Sequence, residues 1–529
     1  MARLVPLETG FASPEPRGGR LTSREADWAG LRVVVVGLGV SGFAAADALL
    51  EQQAAVTVLE GKEPEPGTQL GERARLLGIL GAELVTGEAA VPWFATGPEA
   101  VEDCAAALAE QGTEVVVTSP GLRPSTPLLE AARRAGIPVW SEVELAWRMR
   151  PAQGAAPWLC VTGTNGKTTV VRMLTAMLEA NGERAVAAGN VGTPIMEAIL
   201  DPTPFGAIAV ELSSFQLHHT WTVSPQASCV LNLAADHVDW HGSIEAYAGD
   251  KGRIHHNAQV AAVYNLQDDV TRALVEQADV VEGCRAVGFG LGTPGLSELG
   301  LVQDVLADRA FVEDRQRSAA ELGTLEDLTR DGVAPAPHLV ANALAAAALA
   351  RAHGVPPAAV RAGLRAFRAD PHRMETVLVA GGITWVDDSK ATNPHAAAAA
   401  LTASDRIVWV AGGDLKGAEV DELVSEVADR LQAVVVLGKD AAVIAAAVAR
   451  HAPEVPVDHI EHTDPRRAVA DAVTAATARA TAGDMVLLAP AAASIDMFSD
   501  YGERGDLFAQ EVRRLHGGQA GDGRDRTDG

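Results

Sequence analysis

Residues 161–169 read V-T-G-T-N-G-K-T-T, directly after an apolar run and directly before an apolar-periodic helix. Glycines there let backbone N–H groups fold around phosphate oxygens. Lys167 adds a charge, Thr168 offers Mg²⁺ a hydroxyl, and the helix points its positive end at the anion. The strict phosphate-loop pattern has glycine five residues before Gly166, where this chain carries Val161; its glycine stands at Gly163. A second glycine turn, Gly37-x-Gly39-x-x-Gly42, follows a strand pattern at 31–36, and Glu60 ends the next strand. That is the dinucleotide fingerprint, and NAD or another nucleotide diphosphate fits its physics equally.

Other candidates sit where strands end. Glu211 precedes L-S-S-F-Q; it is either an oxygen ligand for a Mg²⁺–nucleotide or an exposed strand-end acid. Asp236, His237 and Asp239 follow an apolar strand, within N-L-A-A-D-H-V-D-W-H. Lys251, taken alone, reads as a solvated surface lysine. Arg373, in P-H-R-M-E, stands at a candidate domain junction, to reach phosphates as domains close or to pair with Glu375. Three further strand exits carry chemistry: D-D-S-K-A-T-N at 387–393, G-G-D-L-K-G at 412–417, and A-P-A-A-A-S at 489–494 with Asp496, Phe498 and Tyr501 beyond. They are expected to converge on one edge of one sheet.

The elements that must position these residues alternate strand and helix in three blocks. The reading is α/β in three domains: a Rossmann-like domain at 27–150, a central phosphate-loop domain with a mainly parallel sheet at 151–369, and a second Rossmann-like domain at 370–516. Residues 1–26 and 517–529, rich in Gly, Pro and charge, are expected to be disordered. Residues 288–337 look irregular, and residues 88–111 have no assignable role. A chain of 529 residues is too long for one core. Its net charge of −26 argues against a nucleic-acid partner. No run is apolar enough to enter a membrane. Cys104, Cys160, Cys229 and Cys284 are scattered, as suits a reducing cytoplasm.

Taken together, G-T-N-G-K-T-T, G-N-V-G (189–192), E-L-S-S-F-Q-L, D-H-V-D, H-R-M-E, D-S-K-A-T-N and S-I-D-M-F (494–498) resemble the Mur ligases. With G-L-G-V-S-G at the start, the likeness is greatest to the branch that adds D-glutamate. It spans residues 31–516. The resemblance implies ATP-dependent ligation of D-glutamate to UDP-N-acetylmuramoyl-L-alanine through an acyl phosphate, by a cytoplasmic monomer. UDP would lie against Val40, Ser41, Ser119 and Gly121, with Glu60, Gly61 and Lys62 at the uracil. ATP would contact Gly163, Thr164, Asn165, Gly166, Lys167, Thr168, Thr169, Asn342, Arg373 and Asp388. Two Mg²⁺ ions are implied, one on Thr168 and Glu211 and one on His237 and Lys251, the lysine being carbamylated. Asn190 would stand near the γ-phosphate and acyl group, and Lys390, Thr392, Lys416, Ser494 and Tyr501 would hold D-glutamate. The chain departs from the family at Leu339, where an adenosine-contacting asparagine is common, and at Gly61, which lacks a frequent hydroxyl. The alternatives are a sister ligase using another amino acid, a folate polyglutamate synthetase (which lacks the UDP-binding block), an NAD-binding oxidoreductase, and a non-catalytic nucleotide binder.

Overall fold

The structure, a computed structural model, describes residues 18–329, 334–368, 371–402 and 404–517. Its first sheet holds β1 (Arg32–Val36), β2 (Ala55–Glu60), β3 (Glu83–Thr86), β4 (Val115–Thr118) and β5 (Val139–Ser141), all parallel, in the order β3-β2-β1-β4-β5. The central sheet holds β6 (Trp158–Thr162), β7 (Ala185–Gly189), β8 (Ala207–Glu211), β9 (Ala227–Val230), β10 (Ala261–Asn265), β11 (Arg285–Phe289), β12 (Glu298–Val302), β13 (Val305–Asp308) and β14 (Ala320–Thr324). Its order is β14-β13-β12-β11-β10-β9-β6-β8-β7. The third sheet holds β15 (Glu375–Ala380), β16 (Ile383–Asp387), β17 (Ile407–Gly412), β18 (Leu431–Leu437), β19 (Val457–His459) and β20 (Met485–Leu488), in the order β15-β16-β20-β17-β18-β19.

The apolar runs become strands because both faces of each sheet are covered. Side chains alternate between faces, so a strand buried on both sides must be apolar at every position. In β1, Val33 and Val35 enter one core while Val34 and Val36 enter another. In β6, Trp158 and Cys160 face one core, Leu159 and Val161 the opposite one. In β17, Ile407, Trp409 and Ala411 separate in the same way from Val408 and Val410.

Two compact units result. One takes the chain up to Leu233 together with His237–Phe367; the other takes Ala234–Asp236 and the chain from Arg368. The first unit thus contains two of the expected blocks. A buried carboxylate joins them: Glu144 accepts from Arg148 Nε at 2.7 Å, from the N–H groups of Trp221 and Thr222 at 2.8 and 2.9 Å, and from the Thr222 hydroxyl. Four donors on one fully buried acid are what make burying its charge tolerable.

Two stretches differ from expectation. Of residues 288–337, expected to be irregular, 298–324 carry β12, β13 and β14, whose antiparallel ladders extend the central sheet, while 330–333 lie outside the described residues. Within the extension at 1–26, residues 1–17 lie outside the described residues, but Leu21 is buried in the first unit's core and Ser23 accepts from the buried Trp28 indole. The boundary at 369–370 and the tail from 518 also lie outside the described residues. Among the described residues no helix is long and apolar enough to cross a membrane.

Candidate functional site

In the first sheet the order reverses between β1 and β4, and ligands of such sheets bind outside the carboxyl ends at that point. The glycine turn after β1 lies there. A Cβ on Gly42 would stand 1.8 Å from the Gly37 carbonyl oxygen, so only glycine lets the helix Val40–Glu51 start so close to the turn. A Cβ on Gly37 would meet Ser119 Oγ, which follows β4 and is buried without a hydrogen-bond partner. Val40 is exposed, as are Gly61, Lys62 and Gly121, and Ser41 is half-buried. Glu60 is engaged locally, accepting from the N–H groups of Leu38 at 2.9 Å and Lys62 at 3.0 Å. Its carboxylate therefore pins the glycine turn to the exit of β2.

The phosphate loop leaves β6, between β8 and β9, and leads into the helix Lys167–Ala180. Asn232, just past β9, holds it open: its Oδ1 accepts from the Asn165 N–H at 2.9 Å and its carbonyl accepts from the Thr164 N–H. The Thr164 hydroxyl is 3.1 Å from the Tyr247 hydroxyl. Gly166 has φ +85°, and a Cβ there would stand 2.5 Å from Asn342 Oδ1, so Asn342 lies against the loop. Lys167 Nζ donates to the carbonyls of Gly163 and Thr164, both at 2.9 Å. Thr168 and Thr169 are buried in the first helical turn.

Glu211 ends β8, in register with Val161 of β6, and is 2 % exposed. Asn190 Nδ2 donates to its Oε1 at 2.9 Å, while Oε2 is buried with no hydrogen-bond partner. A buried carboxylate oxygen left without a donor is costly unless something else satisfies it. One carboxylate oxygen and the Thr168 hydroxyl are a donor set that suits Mg²⁺, which keeps water and phosphate oxygens as its other ligands. Among the described residues no three His, Cys, Asp or Glu side chains gather as a metal cluster.

Lys251 is 2 % exposed, which overturns the surface-lysine reading of its position. Its Nζ donates to the Gly163 carbonyl at 2.9 Å and to Thr162 Oγ1 at 3.4 Å. The next residue back, Asp250, accepts from His218 and His241 at 2.8 Å each and from Arg253 at 3.3 Å, and His241 also meets Ser214 Oγ. Burial opposes ionisation of Asp250, yet these histidine contacts hold its carboxyl well below the usual carboxylate range. His237 sits at φ +53°, a conformation that costs a side-chain-bearing residue energy and recurs at functional sites. Its ring meets Phe215 edge-on at 4.7 Å.

The second unit brings its three strand exits together. Arg504, 1 % exposed, donates from Nη2 to the Ser389 carbonyl at 2.8 Å and from Nη1 to the carbonyls of Gly412 and Ala492 at 3.3 and 3.2 Å. Its Nε donates to Ser389 Oγ, whose own hydrogen goes to the Tyr501 carbonyl. Burial lowers the guanidinium to about 10, still protonated at neutral pH. Lys390 Nζ lies 4.9 Å from the Tyr501 ring centre. Ser494 is buried, Thr392 half-buried, and Lys416 adopts φ +52° within the second exit. Asp388 is buried and accepts from the Met374 N–H at 3.1 Å; burial pushes its carboxyl up to about 7, against the pull of that hydrogen bond and of Arg373.

Reading by motif did not find Arg504, Asn232 or Asp250 as site-building residues. Asn232 was signalled by its place at a strand end, and Asp250 by its proximity to Lys251. Arg504 had no local signal, since its partners lie up to 115 positions away.

The family model for the Mur ligase middle domain matches residues 161–350, and that for the Mur ligase glutamate ligase domain matches residues 372–492. A UDP-N-acetylmuramoylalanine–D-glutamate ligase of Streptomyces avermitilis is 53% identical over 92% of this chain and 99% of its own. One of Leifsonia xyli subsp. xyli is 50% identical over 97% of this chain and 98% of its own. Among solved structures, the UDP-N-acetylmuramate-alanine ligase of Thermotoga maritima aligns with a TM-score of 0.52 at 17% identity, covering 92% of this chain and 99% of its own. At that identity it speaks for the fold alone.

Proposed function

This chain belongs to the Mur ligase family, and we infer from that membership that it is an ATP-dependent ligase joining D-glutamate to UDP-N-acetylmuramoyl-L-alanine in peptidoglycan synthesis. The observation that carries this reading is the likeness of about half of all residues along nearly the full length of both chains.

The alanine carboxylate of the nucleotide-linked substrate attacks the γ-phosphate of ATP in line, ADP departs, and an acyl phosphate forms. The amine of D-glutamate then adds to the acyl carbon, and the tetrahedral intermediate expels phosphate to leave the amide. Lys167 moves from the Gly163 and Thr164 carbonyls onto the β- and γ-phosphates, where it offsets the charge that spreads in the transition state. Asn190 engages one Glu211 oxygen and so leaves the other for a cation. Thr168 and Glu211 would hold Mg²⁺, which would neutralise part of the phosphate charge. Arg373, Asn342 and Asp388 contact ATP, His237 orients the reacting groups, and Lys390, Thr392, Lys416, Ser494 and Tyr501 receive D-glutamate. The three-domain division at 27–150, 151–369 and 370–516 assigns UDP, ATP and the amino acid in turn.

Lys251 belongs in this scheme as a carbamate. Lys167 and Lys251 both point their amines at the Gly163 carbonyl at 2.9 Å, so two like charges stand within about 6 Å. Carbamylation would turn that repulsion into attraction, and the carbamate oxygens with His237 would hold a second metal ion. Four free cysteines suit a reducing cytoplasm, and we expect a monomer in solution.

The test is phosphate release from ATP and Mg²⁺ with UDP-N-acetylmuramoyl-L-alanine, comparing D-glutamate with L-glutamate, L-alanine, L-lysine and meso-diaminopimelate. Release with D-glutamate alone is expected. Release with another amino acid moves the chain to a sister activity, and no release with any of them rejects the ligase reading.

A further inference from the structure

Residues 88–111, which no motif explains, are built onto the first sheet. They form a 3-10 turn (Gly87–Ala90), a short helix (Val91–Phe94) and a longer helix (Pro98–Glu110). Trp93, Cys104 and Leu108 enter the core that covers Val34, Val36, Leu59 and Val116. The segment is therefore anchored to the sheet, and its anchoring fixes where Phe94 lies. A methyl built on Gly61 would stand 3.6 and 3.7 Å from two ring carbons of Phe94. The ring thus rests in van der Waals contact with the space above Gly61, at the exit of β2.

The same ring lines a cavity of about 340 Å³ with Thr96, Leu122, Arg123, Ser125 and Thr126. Residues 122–126 follow β4, and β1 with its glycine turn lies between β2 and β4. Phe94 therefore lies between the exits of β2 and β4, on either side of the glycine turn of β1, at the carboxyl edge where a nucleotide of this fold binds. The cavity is a groove open to solvent, lined by one aromatic ring, one aliphatic wall, three hydroxyls and a guanidinium. That chemistry suits a flat base with polar edges. Arg123 also donates to Asp239 at 2.9 Å, two residues after His237. The cavity rim is thereby tied to the segment toward which the sugar and its acyl group would run.

We propose that Phe94 stacks on the uracil base of the nucleotide-linked substrate, making the contact that Gly61, without a side chain, leaves unmade. The missing hydroxyl at Gly61 and the long segment 88–111 then explain each other: the segment delivers a ring into the room the glycine leaves. This rests on the reading that the first sheet holds UDP.

UDP and UMP are titrated calorimetrically into the full-length protein and its Phe94→Ala, Phe94→Leu and Phe94→Trp variants, with thermal midpoints recorded for each. Aromatic–base stacking corresponds to about a 5- to 150-fold change in affinity. Phe94→Ala is expected to weaken UDP by about that factor and to raise KM for the nucleotide substrate equally, with kcat and the KM values of ATP and D-glutamate unchanged. Phe94→Trp is expected to bind as wild type does. Should Phe94→Ala not fold, Phe94→Leu, which keeps bulk but removes the aromatic face, decides. Wild-type affinity in Phe94→Leu, or in a folded Phe94→Ala, overturns the proposal alone. A wild-type protein that ignores both nucleotides overturns the placement of UDP, and the proposal with it.

Discussion

At the carboxyl edge of the central sheet, Glu211 keeps a buried oxygen without a partner, and two lysines aim at one carbonyl. At the carboxyl edge of the third sheet, Arg504 is just as buried, but its guanidinium is spent on Ser389, Gly412 and Ala492. The first arrangement is electrostatically incomplete as protein alone, and a metal–nucleotide would complete it. The second is held within the chain: its buried charge holds the scaffold, and the side chains expected to meet ligand, those of Lys390, Thr392, Lys416 and Tyr501, are half-buried or exposed. Buried charge is costly in both places. One edge would offset the cost with a ligand, the other does so with its own backbone.

The sharpest way to break this contrast is at the central edge. Lys167→Ala and Glu211→Gln are each expected to lower kcat by roughly 10²- to 10³-fold or more, the effect of removing one group aimed at developing charge. Neither should lower the thermal midpoint, and Glu211→Gln should raise it in the absence of Mg²⁺ and ATP, because the neutral amide relieves a buried charge. A marked loss of stability in Glu211→Gln would show that the carboxylate is satisfied by protein after all.

Arg504→Met probes the opposite case. It leaves three backbone carbonyls without a donor in a buried setting, at about 1–3 kcal/mol for each unsatisfied group. Urea denaturation should show the second unit unfolding early, with the first unit's transition unmoved. D-glutamate KM should rise as the three exits loosen, and Arg504→Lys should restore only part of either effect because it lacks the planar fork.

Asp388 sharpens the comparison through pH. Its folded carboxyl titrates at about 7, above its unfolded value. The folded unit therefore holds a proton that the unfolded chain releases. That contribution is full below about pH 4 and is lost as pH rises toward 7, on the order of 2–4 kcal/mol in all. Asp388→Asn should flatten this slope, read as the pH dependence of the second unit's unfolding free energy from pH 4.5 to 7.5. An unchanged slope would mean that Asp388 is ionised in the folded protein.

What could be read in advance follows the same division. The phosphate loop and the strand exits were legible because their chemistry is packed into a few consecutive residues after apolar runs, where backbone geometry alone fixes their place. Arg504 was not, because it acts between residues brought together only by the order β16-β20-β17. The burial of Lys251 was hidden by the rule that lysines face water, which fails here because Asp250, His218 and His241 clamp its helix inward. Strands β12 to β14 were obscured by glycines at Gly300 and Gly323, which weaken strand patterning, and by a bulge between Leu306 and Ala307. Residues 18–26 read as a loose extension from composition, yet Leu21 buries apolar surface that composition over a window averages away.

The smallest expected effect concerns the rim. Arg123 and Asp239 pair at 2.9 Å, but both side chains are 57% exposed, and exposed pairs of this kind contribute about 0–1 kcal/mol. Asp239→Asn should therefore leave the thermal midpoint within a degree or two at physiological salt. Its effect should instead fall on the nucleotide substrate, because Arg123 loses the partner that holds it at the cavity rim. A rise of a few-fold in KM for that substrate is expected, vanishing at high ionic strength, where wild type and variant should coincide. A salt-independent rise would mean that Asp239 touches the substrate directly, which would place the central edge's incompleteness one residue group further out than Glu211 and Lys251.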